Sequence, residues 1–517
     1  MKIFNKLFYA LILFLALVTS SFGEQKPNVI FFLVDDMGWR DAACFGSEFY
    51  ETPNIDSLAA DGVKFNQAYA ACQVCSPTRA SILTGQYPAR LKLTDWLAGR
   101  RDFDFQKLKK VEINQNLPFD VTTLPELLKE QGYSTAIYGK WHIGEGESSP
   151  LGHGFDKHVP EGWNKGWPKA GYHAPFKFAD IPDKPGDYLT DKLTDQALKY
   201  IEENKDKPFF LYLSHFAVHD PIQGRRDLVG KYKKKLQKMG KPSGPDFILE
   251  GNPDDKKPLT REQLTKLITK PAFSGFKVLP QRTVKIKQHQ DNAEFAGMVE
   301  SMDESLGRVM KKLKDLGLDD NTIVIFFSDN GGMSGANFGN PKRKVAKAKL
   351  DMAFATSNLP LRGAKGWMYE GGIRVPMIVK WPGKGKAGIT CETPVISTDF
   401  YPSILEMLGL NQKPEVHPDG VSFAAAVKGE TFARKPIFWH FPHYSNHGMQ
   451  SPGGAIRDGD YKLLEYFENG TVQLFNLKED IGEQNDLSKK YPEIVKKLKA
   501  KLHNWRNEVG AKMPEFK

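Results

Sequence analysis

The chain is poor in cysteine: four thiols, Cys44, Cys72, Cys75 and Cys391, serve 517 residues. That excludes a disulfide scaffold, so a hydrophobic core must carry the fold. Long apolar runs are missing too, apart from Leu7 to Val18 in MKIFNKLFYALILFLALVTSSFGEQKP, which falls short of the roughly 20 residues a membrane span needs. Lys2 and Lys6 precede that run and small residues ending in Ser21-Phe22-Gly23 follow it, the pattern of a secretory signal peptide over residues 1–23. No cysteine follows to carry a lipid, so the mature protein is expected to be exported, periplasmic or secreted, without stable membrane insertion. The sequence has no internal repeat and no low-complexity tract, which excludes solenoid and collagen-like architectures. At 40% hydrophobic and 26% charged residues, it reads as a soluble globular protein with room for one large domain and an appendage.

The formal charge of +10 loses only Lys2 and Lys6 with the leader, leaving +8. An exported basic protein without a nucleic-acid motif is expected to meet an anionic extracellular partner and no nucleic acid. The runs KYKKKLQK and PKRKVAKAK could guide an anionic polymer at low salt, though solvated lysine faces are the preferred reading.

Five short runs rich in β-branched and aromatic residues, NVIFFLV, STAIYG, PFFLYLS, TIVIFFS and RVPMIVKW, predict buried strands. Helical patterns lie between them, as in ESMDESLGRVMKKLKDLG, where Met302, Leu306, Val309, Met310 and Leu313 share a face and Gly317 offers a stop. The fold class is therefore α/β, with a mostly parallel sheet flanked by helices. Residues 225–290, rich in lysine and proline, read as an insertion. Beyond a boundary placed at 420, the hairpin-like runs and the helical face Ile494, Leu498, Leu502, Trp505 and Val509 predict a smaller C-terminal α+β domain over 421–517, an antiparallel sheet plus a helix, beside a catalytic domain over 24–420.

Four of the strands run into polar residues: Asp35-Asp36, Lys140-Trp141-His142, His215 with His219, and Asp329-Asn330. Ligands of open α/β sheets bind beyond the strands' carboxyl ends, so these residues are expected to form one site. Three carboxylates and an amide suit a hard cation, Ca²⁺ or Mg²⁺, better than zinc, although either pair alone makes an ordinary polar turn. Lys140, His142, His219 and Lys365 would bind an anionic tetrahedral group and move protons. Cys72 and Cys75 form a C-x-x-C, but outside the βαβ setting of a redox pair. Arg79 shares a face with Cys75 if the segment turns helical after Pro77, and a cysteine beside an arginine and a helix start is a reactive thiol.

The stretch CSPTRASILTG resembles the signature of the type I, formylglycine-dependent sulfatases of the alkaline phosphatase superfamily. NVIFFLVDDMGWRD, TPNIDSLAADGVKFNQAY, YGKWHIG, VESMDESLGRV, NTIVIFFSDNGG, LRGAKGWMYEGGIRVP and AIRDGDYKL are similar to sulfatase segments in the same order, over nearly the whole mature chain. The resemblance implies an alkaline-phosphatase-like fold and hydrolysis of sulfate esters. It also implies Ca²⁺ held by Asp35, Asp36, Asp329, Asn330 and residue 75, with Cys75 converted to formylglycine by a formylglycine-generating enzyme. In that scheme one hydroxyl of the hydrated aldehyde takes the sulfate and the other expels it. Arg79 and Lys140 would hold the diol, His142 would assist the elimination, and His219 with Lys365 would bind sulfate and protonate the leaving oxygen. His219 is preferred to His215 because Pro221 gives it the His-x-Pro form. YPARLKLTDWLAGR and WHFPHYSNHG look like segments of exported bacterial polysaccharide sulfatases, implying a sulfated saccharide substrate of galactose or N-acetylgalactosamine type, with His443 and His447 as substrate-binding candidates. A phosphoester hydrolase of the same superfamily and a non-catalytic sulfated-glycan binder are the alternatives.

Overall fold

Every residue of NVIFFLV is buried, because a run without polar alternation fits only a strand covered on both faces. In the computed structural model, which describes residues 26–337, 344–445 and 450–517, this strand is β1 (Asn28–Val34), near the middle of a nine-stranded sheet. The expected leader, His447 and the start of PKRKVAKAK lie outside the described residues. The other strands of this sheet are β2 (Val63–Tyr69), β3 (Ser134–Gly139), β4 (Lys157–Val159), β5 (Phe209–Ser214), β8 (Thr322–Ser328), β9 (Arg374–Lys380), β10 (Ile389–Cys391) and β11 (Val395–Ile396). Their spatial order is β10-β2-β9-β8-β1-β5-β3-β4, with β11 also on β2. All pairs are parallel except those of β9, which runs against β2 and β8. The five apolar runs are β1, β3, β5, β8 and β9, so the mostly parallel α/β reading holds.

The pleat sends Ile30, Phe32 and Val34 to one helical layer and Val29, Phe31 and Leu33 to the other. Each buried large side chain contributes about 1.5–3 kcal/mol. Helices α1 (Cys75–Thr84) and α5 (Phe400–Met407) pack on the second face. On the first face lie α2 (Leu189–Glu203), α3 (Arg226–Met239) and α4 (Ala293–Asp315). The predicted pattern at 300–317 is the later part of α4, which starts earlier because Asn292 caps it, accepting from Glu294 N and Phe295 N. Gly317 follows the helix at φ 66°, the left-handed conformation that favours glycine.

The expected insertion holds α3 and an antiparallel ribbon of β6 (Phe247–Glu250) with β7 (Val284–Lys287) outside the main sheet. Toward the C-terminus, β12 (Ile437–Phe441), β13 (Gly453–Asp458), β14 (Tyr461–Tyr466) and β15 (Val472–Asn476) form an antiparallel meander. Helix α6 (Pro492–Glu508) covers it, burying Leu498, Leu502 and Trp505, with Trp505 stacked on Phe438 at 4.8 Å. The meander docks on the segment before α1: Trp439 Nε1 donates to the Ala70 carbonyl at 2.8 Å and its ring meets Tyr69 edge-on. Among the described residues no helix is long and apolar enough to cross a membrane.

Candidate active site

Sheet register builds the site before any side chain is considered. Val34 of β1 pairs with Ser328 of β8, so Asp35-Asp36 and Asp329-Asn330 leave the sheet side by side. Leu33 pairs with Ser214 of β5, and Ser214 with Gly139 of β3, which brings Lys140 to the same edge. Gly139 sits at φ 109°, and a Cβ there would stand 1.9 Å from the Ser214 carbonyl oxygen. Only glycine permits that approach, which lets Lys140 N donate to the Ser214 carbonyl at 2.6 Å. Cys75 is the first residue of α1, three positions earlier than an onset after Pro77 would place it, and Arg79 lies one turn on. All four cysteines are free thiols.

The charged groups interlock. Asp329 Oδ2 accepts from Arg79 Nε at 2.8 Å and Oδ1 from Asp36 N at 3.2 Å. Lys140 Nζ meets Asp35 Oδ2 at 2.6 Å, and Lys365 Nζ meets Asp36 Oδ1 at 2.6 Å. Asn330 Nδ2 donates to Asp36 Oδ1 at 2.8 Å. Asp35, Asp36 and His219 offer ligand atoms within 4.8 Å of one another. Asp35 Oδ1, Asn330 Oδ1 and Arg79 Nη2 are buried without a hydrogen-bond partner, a costly condition for groups of this polarity. Two unspent oxygens in an all-oxygen carboxylate and amide set fit a hard dication, and Lys140 and Lys365 sit on the anionic oxygens such an ion would take.

The two histidines differ in state. His142 Nε2 donates to the Leu97 carbonyl at 2.8 Å, since a carbonyl only accepts, and this leaves the Nδ1 lone pair facing Cys75 Sγ at 3.3 Å. Burial, with Lys140 beside it, holds His142 well below its ordinary range and neutral. Burial and Lys365 oppose a charge on His219, but Asp36 at 3.8 Å and Asp220 at 2.8 Å outweigh them and push it up to about 9. Burial and the adjacent Asp329 raise Asp35 well above the carboxylate range. Asp36 is held below that range against burial, chiefly by Lys365 and His219. Environments that separate like groups in this way assign base and acid.

The structure thus gathers Asp35, Asp36, Cys75, Arg79, Lys140, His142, His219, Asp329, Asn330 and Lys365 at one edge. His215 goes elsewhere: its Nε2 meets Ser305 Oγ at 3.0 Å and its ring lies 5.2 Å from Phe32, in the core. His443 is 4% exposed, with Nε2 taken by Thr94 Oγ1 at 2.9 Å. Burial pushes its pKa down to about 4, so it offers no positive charge to an anionic substrate at neutral pH. His447 is outside the described residues. Asp220, the Leu97 carbonyl and Ser214, whose Oγ accepts from Arg79 Nη1 at 2.6 Å, were not foreseen. Only Asp220, next to a histidine, carried any signal in the sequence.

The family model for sulfatases matches residues 27–410, and the model for the C-terminal region of N-sulphoglucosamine sulphohydrolase matches residues 364–508. A sulfatase of Formosa agariphila is 31% identical, over 98% of this chain and 94% of its own. The chain belongs to the sulfatase family. This sulfatase is accordingly a sulfuric ester hydrolase. It is also similar to the N-acetylgalactosamine-6-sulfatase of Canis lupus familiaris, 28% identical over 81% of this chain and 69% of the relative. The crystal structure of Ps i-CgsB in complex with k-i-k-neocarrahexaose matches it with a TM-score of 0.68 and 27% identity, covering 93% of each chain.

Proposed function

We propose that this sulfatase is an exported enzyme that removes sulfate from carbohydrate, of the 6-sulfated N-acetylgalactosamine or sulfated galactan type, with Ca²⁺ and with formylglycine made from Cys75 by a formylglycine-generating enzyme. The observation that carries the reading is Cys75 Sγ at 3.3 Å from His142 Nδ1, beside a cage in which Asp35 Oδ1 and Asn330 Oδ1 have no hydrogen-bond partner. Residues 24–420 form the catalytic unit and 421–517 the smaller one. The names of the canine relative and of the sugar bound to Ps i-CgsB support the choice of substrate class.

Asp35, Asp36, Asp329 and Asn330, with residue 75, would hold the ion, which supplies Lewis acidity toward a sulfate oxygen. Formylglycine supplies a hydroxyl nucleophile where the gene encodes a thiol. The rest belongs to this chain's side chains. Lys365 and His219 bring positive charge to the Asp36 side of the site, where a sulfate group would otherwise be repelled by carboxylates. His219 Nε2 carries the proton for the leaving sugar oxygen, its Nδ1 being held by Asp220. Arg79, tied to Asp329 and Ser214, and Lys140, on Asp35, fix the nucleophile's surroundings. His142 Nδ1 takes the proton of the group at position 75, its other nitrogen fixed by Leu97.

The test is mass spectrometry of the Cys75 peptide from the native host, paired with turnover of matched aryl sulfate and aryl phosphate before and after chelation. Conversion at residue 75, sulfate preference and loss of turnover restored by Ca²⁺ are expected. Active protein whose residue 75 is wholly thiol, or faster phosphate turnover, overturns the reading.

A further inference from the structure

Beside His142 stands a tryptophan that neither the cluster at the strand ends nor the core explains. Trp167 is 43% exposed; single exposed hydrophobics are common, and what distinguishes this one is its place beside the imidazole. Its segment is fastened to His142 at two points and closed on itself at a third. His142 N donates to the Asn164 carbonyl at 3.2 Å, and Trp163 Nε1 donates to the Trp167 carbonyl at 2.7 Å. Gly166 lies so close to the imidazole that a Cβ there would stand 2.3 Å from His142 Cε1. The Trp167 and His142 rings meet edge-on, with centroids 6.3 Å apart at 78°, and the same imidazole is 3.3 Å from Cys75 Sγ.

We propose that Trp167 is the platform for the sugar that carries the scissile sulfate, stacking on the apolar C–H face of its pyranose ring. This rests on the carbohydrate reading given above. A pyranose has hydroxyls around its rim and C–H bonds on its faces, so a flat, rigid indole binds a face while the rim stays wet. The imidazole that meets residue 75 also meets the indole, which sets the ring beside the site that an ester would enter. Lys169, exposed and 5.6 Å over the Trp163 ring, adds positive charge next to the platform, which suits an anionic saccharide. The fastening also keeps the ring in place before substrate arrives, so little order is lost on binding.

Steady-state kinetics of the mature enzyme on 6-O-sulfo-N-acetylgalactosamine and on a carrageenan oligosaccharide, with 4-nitrocatechol sulfate as the sugar-free control, tests the proposal. Trp167→Ala should raise the saccharide KM about tenfold with kcat little changed, the signature of lost uniform binding. Its kcat on the control should stay within about twofold, because the Leu97 and Asn164 carbonyls still hold His142. Trp167→Phe should restore most of the saccharide KM, and Trp167→Leu, which has bulk but no π face, carries the same test if the alanine variant does not fold. An unchanged saccharide KM, or kcat falling together on both kinds of substrate, means that Trp167 only packs His142, and the platform is wrong while the carbohydrate reading stands. Wild-type turnover of the control and of neither saccharide overturns the carbohydrate reading, and the platform with it.

Discussion

Lys462 lies fully buried between two carboxylates, 2.9 Å from Glu370 Oε1 and 2.9 Å from Glu483 Oε1, themselves fully buried. Lys462→Met removes the cation and leaves both acids. Glu370 retains Tyr69 Oη at 2.7 Å and Arg374 at 3.5 Å; Glu483 Oε2 retains Glu370 N at 2.7 Å. Breaking a buried ion pair from one side costs about 3–5 kcal/mol, and the remaining partners place the loss at the lower end, about 3 kcal/mol. Burial, with Glu370 beside it, already pushes Glu483 up to about 7 against the pull of Lys462. A raised carboxyl pKa stabilises the fold below its ordinary value and loses that contribution as pH rises through the folded value. Without Lys462 the value rises further, so the deficit of the variant should be largest near pH 8 and shrink toward pH 5. The assay is the urea midpoint of wild type, Lys462→Met and Lys462→Met/Glu483→Gln across that range. The double variant should recover more than half of the loss, since the amide needs no counter-ion. A loss under about 1 kcal/mol, the worth of a surface pair, or a double variant no better than the single one, would refute the reasoning.

Glu465 gathers Arg506 at 2.5 Å, His503 at 2.9 Å and Lys499 at 3.0 Å from α6. Burial opposes its charge, but Arg506 and its neighbours lower its pKa to about 2. Stability from a depressed carboxylate is present above its ordinary value of about 4.5 and lost as pH falls toward about 2, so α6 should loosen in that window. Burial also weakens Arg506 as a cation, which brings the expected loss to about 2 kcal/mol; amide hydrogen exchange in α6 that is flat from pH 5 to 2.5, after correction for intrinsic rates, contradicts it. Asp95 clamps Arg100 through two bonds of 2.7 and 2.9 Å, in the segment whose Leu97 carbonyl fixes His142 and whose Leu97 N is held by Ser76 Oγ at 3.1 Å. Asp95→Ala should lower kcat on an aryl sulfate with little change in KM, because it frees the base without touching the sulfate; an unchanged kcat would show that Ser76 alone holds the loop.

What the sequence disclosed follows from where physics writes a local signal. β1 and β8 were legible because strands covered on both faces need uninterrupted apolar runs. β2, VKFNQAY, was not: Lys64, Asn66 and Gln67 reach half-buried positions, so its seven residues lack that run. β10 and β11, three residues and two, are too short for any period to show. In the site, the acids were legible as residues following strands, whereas the Leu97 carbonyl that fixes His142 and the Ser214 carbonyl that holds Lys140 N are backbone atoms and carried no signal.

The pair His215 and His219 makes the distinction concrete. Four residues apart, they are chemically interchangeable in the sequence, and only a proline two positions beyond His219 separated them. The sheet supplies the physical reason. His215 directly follows β5 and its ring enters the layer of Phe32 and Ser305, where burial lowers it to about 3 and removes it from proton transfer near neutral pH. Beyond it the chain turns, held by Tyr172 Oη donating to the carbonyls of Phe216 and His219, and carries His219 back over Asp36. A residue's chemistry here is decided by one turn of backbone, and that turn is tied to the backbone of Asp35 and to a tyrosine more than 40 positions upstream, distances over which periodicity and motif spacing carry no information.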